Sequence, residues 1–130
     1  HHELSHDGSA YGQGEIRKIN RWYAGEFAYL LDRLKAIPEG EGTMLDNTCV
    51  VWVSELGLNA NEHTRRNLGV VIAGGGGGTL RGGQHLDLTG TPHQNLWVEL
   101  TNALSPEELA PITSFGNPET CTGGVPSIRT

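Results

Sequence analysis

Apolar side chains at Ile16, Ile19, Trp22, Tyr23, Phe27, Leu30, Leu31 and Leu34 recur three and four residues apart, which predicts a long amphipathic helix over residues 15–37. Pro38, with Gly40 and Gly42 behind it, ends that helix. The next apolar segment has another character. "TCVVWVSEL", from Thr48, is β-branched and aromatic with no polar alternation, the pattern of a strand buried on both faces in a parallel sheet. "LGVVIAGG", from Leu68, repeats it, and the polar "GLNANEHTRRN" between the two has loop composition. Further on, "QHLDL" is short enough for an edge strand, and "HQNLWVELTNAL" after Pro92 places Leu96, Trp97, Leu100 and Leu104 on one helical stripe. From Ser105 the periodicity fades. An S-P-E-E start is compatible with one more helical turn.

Helix, buried strand, buried strand and helix point to an α/β fold, a partial three-layer αβα sandwich on a mostly parallel sheet with short edge strands, in one domain over residues 1–130. Two strong strands are few for such a sheet. The expectation is a domain truncated from a larger one, or a chain that completes its core by homo-oligomerisation through exposed core or a sheet edge.

Composition narrows the function classes. A formal net charge of −6 with nine Lys and Arg lacks the clustered positive charge that nucleic-acid binding needs, and the pair Arg65 and Arg66 reads as a solvated loop feature. No apolar run approaches the ~20 residues that cross a bilayer, so neither a nucleic-acid nor a membrane partner is expected. Glycine occupies 19 positions, about twice its usual share, and signals many tight turns. Of the two cysteines, Cys49 reads as a small core residue, with a bridge to Cys121 as the alternative.

The densest chemistry is "HHELSH" at the start. Residues His2 to His6 match H-E-x-x-H, in which two imidazoles on one helical face hold zinc and the Glu, here Glu3, activates water. The glycines of "DGSAYGQG" deny that motif its helix, and Ser9 and Gly12 stand where the extended form needs Gly and His. His2 and His6 remain candidate ligands for a divalent metal, zinc foremost, with His63 as a third from the loop between the strands. A solvated loop histidine is the alternative for His63. Glu55, at the carboxyl end of the first strand, is either a further ligand or a cap or ion-pair partner of Arg65 or Arg66. Ser54 is not set in a G-x-S-x-G elbow. The run Gly74 to Gly78 lacks the Lys and Ser or Thr of a phosphate loop and reads as a turn, and His85 and His93 read as surface residues.

Taken in order, "HHELSH", the long helix, "GTMLDNT", "SELG", the loop histidine and "AGGGGG" resemble the end of an uncharacterised bacterial domain-of-unknown-function family, within or near the alkaline phosphatase and sulfatase superfamily. The resemblance spans nearly the whole chain. It implies an alkaline-phosphatase-like fold and a metal-dependent hydrolase of phosphate or sulfate esters, exported in its full-length form. It also implies one metal held by His2, His6 and His63, where His2 departs from the superfamily's Asp. The second metal's Asp-His pair falls on Glu55 and Leu56, and Leu56 cannot bind an ion. The superfamily's nucleophile comes from an N-terminal half, so the chain alone is expected to be inactive; a non-catalytic structural or binding module is the alternative, and a zinc protease a third reading.

Overall fold

Residues 1–57 and 63–130 are described by the computed structural model, and among them lie four α-helices and two short two-stranded sheets. A single helical turn, α1 (His2–His6), is followed by a turn at residues 7–9 and then by α2 (Ala10–Lys35). The second helix begins earlier than its apolar period predicts because Ser9 caps it. Ser9 Oγ accepts the Gly12 N–H at 3.1 Å and satisfies one of the donors a helix start leaves orphaned. That cap offsets the roughly 1 kcal/mol that each glycine in the first turns costs.

Beyond α2 the chain makes a small antiparallel hairpin, β1 (Pro38–Glu39) and β2 (Gly42–Thr43), and enters the short helix α3 (Met44–Asn47). A capping box fixes that entry, since the Thr43 N–H and hydroxyl both donate to Asp46 Oδ2 at 2.8 Å. Two longer strands come next, β3 (Val50–Val53) and β4 (Val70–Ala73). They pair antiparallel, with Val50 opposite Ala73 and Val53 opposite Val70.

This pairing overturns the expected parallel sheet and with it the alkaline-phosphatase-like αβα sandwich. A parallel pair needs a crossover of a dozen or more residues, usually a helix, whereas an antiparallel pair needs only a loop, and no helix occurs among the described residues between β3 and β4. The apolar runs are continuous for a local reason. Successive side chains of a strand point to opposite faces. Trp52 meets Phe27 of α2 with ring centroids 5.5 Å apart, while Cys49, Val51, Val70 and Ile72 pack from the other face against the core. Two strands with both faces partly covered thus imitate the sequence pattern of a large sheet.

The core itself lies in the C-terminal half. The last helix, α4 (His93–Leu104), has the bounds its pattern predicts, and Leu96, Leu100 and Ala103 from it join Leu80, Val125 and Ile128. Leu104, expected on the buried stripe, is exposed. The tail has little periodicity because side chains of α4 hold it in irregular form. Asn95 Nδ2 donates to Thr122 Oγ1 at 2.9 Å while its Oδ1 accepts the Thr122 N–H at 3.0 Å. Asn102 brackets Ile112 in the same way, accepting its N–H at 2.8 Å and donating to its carbonyl at 2.9 Å. Buried Glu99 pairs with Arg129. "QHLDL" forms no strand; instead Leu80 bridges Arg129 near the chain end. The S-P-E-E segment makes a turn, closed by Leu109 N–H to the Pro106 carbonyl at 3.0 Å, and no helix.

Candidate metal centre

Four-residue spacing on α1 sets His2 and His6 on one face, and their ring centroids lie 4.7 Å apart. So short a helix has little stability of its own. It is held by the turn that follows. Ser9 N–H donates to Asp7 Oδ1 at 2.9 Å, and Gln13 Nε2 donates to the Asp7 carbonyl at 3.3 Å. Ser9 keeps the Asp7 carboxyl below the ordinary aspartate pKa, by side-chain and then backbone hydrogen bonding. Gly12 completes the junction. It is buried, and a Cβ there would stand 2.5 Å from Asp7 Cβ and Cγ, so α1 folds back on α2 only over a residue without a side chain.

His63 arrives from the loop after β3. Gly57 N–H donates to the Thr64 carbonyl at 3.0 Å, and Gly57 lies so close to the Arg66 carbonyl that a Cβ has no room. Between these closed ends His63 itself takes a left-handed backbone, φ +49°, uncommon for a residue other than glycine. Its ring centroid is 5.0 Å from that of His6 and 6.4 Å from that of His2. The two imidazoles of α1 and a third from far along the sequence therefore meet at one exposed place.

The separations can be compared with what an ion requires. Zinc–nitrogen bonds of about 2.0–2.1 Å in tetrahedral geometry put imidazole centroids about 5 Å apart. The observed distances bracket that figure. Even so, among the described residues no group of three or more His, Cys, Asp or Glu has its donor atoms disposed to hold an ion. The rings are spaced for a metal but not set around one.

The other candidates are placed differently. Glu55 is exposed just past β3 and has neither a hydrogen bond nor an ion pair among the described residues, Arg65 and Arg66 included. Leu56 beside it is half-buried. Ser54 is occupied locally, its hydroxyl donating to the Leu56 carbonyl at 2.8 Å and accepting the Leu56 N–H at 3.3 Å, and no base among the described residues accepts its proton. Residues His2 to His6 form a single helical turn that stops before Gly8, while Gly12 and Gly14 of the same glycine-rich stretch lie inside α2 and do not break it. Asn61 and Glu62 of "NEHT" lie outside the described residues. The glycine run donates Gly75 N–H to the Leu45 carbonyl and Gly76 N–H to the Thr48 carbonyl, both at 3.1 Å, so these amides are engaged within the fold. His85 is exposed; His93 is half-buried, edge-on to Trp97 with centroids 5.5 Å apart. Cys49 and Cys121 are free thiols, and burial pushes the Cys49 thiol up.

Sequence reading passes over Asp7, Gly12 and Gly57, the residues that position the cluster. The D-G-S turn ahead of α2 was a visible signal for the first of them, being a helix N-terminus signature. Gly12 and Gly57 are needed because of what packs against them, and no local pattern carries that. No family model, curated protein or solved structure matches the chain.

Proposed function

We propose that His2, His6 and His63 take up one divalent transition metal, zinc foremost, and that the site serves hydrolysis of phosphate or sulfate esters. The observation that carries this reading is the meeting of the three imidazole rings at 4.7, 5.0 and 6.4 Å. An all-imidazole donor set suits zinc and its neighbours, and three protein ligands leave a coordination position open, as in catalytic rather than structural sites. A bound ion would supply Lewis-acid polarisation of an ester oxygen and a more acidic water. The chain's own part is to orient the rings: α1 presents two from one face, and the loop closed by Gly57 and Thr64 presents the third. The ester class is supported by the order of the short motifs, since the fold lends it nothing.

A second reading, a non-catalytic metal-binding module, is favoured by Leu56 in the place of a ligand and by Glu55 standing without a partner among the described residues. Elemental analysis of protein purified without metal resin tests the site. About one equivalent of zinc in the wild type and its loss in His63→Ala is the expected result; equal metal in both rejects the site. A panel of phosphomonoesters and sulfate esters then separates the two readings. Turnover abolished by a chelator and by His63→Ala supports the hydrolase, and a metal-loaded protein inert to the whole panel leaves the module. Peptidase activity lost in Glu3→Gln would instead identify a zinc protease.

A further inference from the structure

The histidine cluster joins two parts of the molecule that the hydrophobic core does not. The core is made by α4, the tail and one face of the β3–β4 pair. On the other side α1 packs on α2, and α2 on α3, with Phe27 against Trp52. Of the 26 residues of α2 only Gly12 is buried, and Tyr11, Trp22 and Tyr29 are 70%, 60% and 63% exposed. Apolar burial therefore attaches this long helix to the rest weakly, at roughly 25 cal/mol for each Å² removed from water. His2 and His6 stand on the turn at its N-terminal end, and His63 stands on the loop of the β3–β4 pair.

We infer that a metal held by His2, His6 and His63 is also a clasp, which fastens the α1–α2 arm to the β3–β4 loop and holds that arm in its folded place. The inference rests on the metal reading above. Three physical arguments support it. First, the ion bridges positions more than fifty residues apart, and such a set of ligands does not exist in an opened chain, so binding energy becomes energy of closure. Second, elements with few buried apolar groups open locally at low cost, without unfolding the core, and α2 answers that description. Third, His63 holds a left-handed backbone with no glycine to ease it, a strain that a ligand bond to its ring would offset.

Amide hydrogen exchange on the full chain, with zinc and with a chelator, reads the effect without reference to catalysis. Zinc should slow exchange of the α2 amides about tenfold or more in the wild type, leave those of α4 nearly unchanged, and do neither in His63→Ala. Because the three histidines are exposed, their replacement leaves the core intact, and the chelated wild type provides the same comparison without any substitution. Zinc bound at one equivalent by equilibrium dialysis with no slowing in α2, or with equal slowing in α2 and α4, would overturn the clasp while sparing the site. An absence of zinc binding would overturn both.

Discussion

The two long helices, α2 and α4, are equally amphipathic in sequence and meet opposite fates. In its twelve residues α4 buries Asn95, Leu96, Val98, Glu99, Leu100 and Ala103, whereas α2 in twenty-six buries only Gly12. What differs is the partner. Leu80 and, from the tail, Val125 and Ile128 converge on α4, and Asn95, Asn102 and Glu99 tie the tail down through Thr122, Ile112 and Arg129. α2 has the narrow β3–β4 pair and two short helices to lie against. An apolar stripe records that a helix has a face to cover; the amount covered depends on how much chain is available to cover it. Two of the three clustered histidines, His2 and His6, stand in the loosely packed half, on the turn that precedes α2.

The largest test of this contrast is a leucine truncation in each helix. Leu100 is 4% exposed and Leu30 is 45% exposed. Leu100→Ala should cost about 2–5 kcal/mol by urea unfolding, and Leu30→Ala about 0.5 kcal/mol or less. Similar costs would mean that α2 is as well packed as α4. Next in size is a pair of glycines two residues apart on α2. Gly12→Ala drives a Cβ into Asp7 and should displace α1, weakening zinc binding about tenfold by calorimetric titration. Gly14 has nothing near its Cβ position, so Gly14→Ala should stabilise the helix by about 0.5–1 kcal/mol and leave zinc affinity unchanged. Equal effects on zinc would remove the α1–α2 junction from the site.

The smallest effect is a pH dependence at α3, between the two halves. The Thr43 hydroxyl, and then its N–H, hold the Asp46 carboxyl below the ordinary aspartate pKa. A depressed folded pKa means that the carboxylate's contribution is present in full above the unfolded value of about 3.9, and is lost as pH falls through the lower folded one. Carbon-detected NMR should therefore show Asp46 titrating below a free aspartate. Thr43→Ala should return the midpoint toward the free value. An unmoved midpoint would show that the Thr43 hydroxyl contributes nothing to that carboxylate.

Part of this was readable in advance. Local patterns carry the existence of α2 and α4, the bounds of α4 and the positions of β3 and β4, because helical period and β-branched runs are properties of neighbouring residues. The spacing of His2 and His6 is legible for the same reason. The strand direction was misread: a run apolar on both faces describes burial, and two strands covered by α2 and α4 produce it as readily as a wide parallel sheet. The αβα-sandwich expectation rests on that parallel reading and falls with it.

The linear order of residues is thus enough to settle that α2 and α4 are helices and β3 and β4 strands, the acidic balance, and which side chains have ligand chemistry. Only the tertiary structure decides that β3 and β4 run antiparallel, that α4 rather than α2 lies in the core, and that His63 reaches the turn bearing His2 and His6. Each of these depends on which groups meet in space, such as Gly57 against Arg66, Gly12 against Asp7, Trp52 against Phe27 and Asn95 against Thr122. Short-range periodicity holds no record of such meetings, because they are set by which surfaces the folded chain brings together.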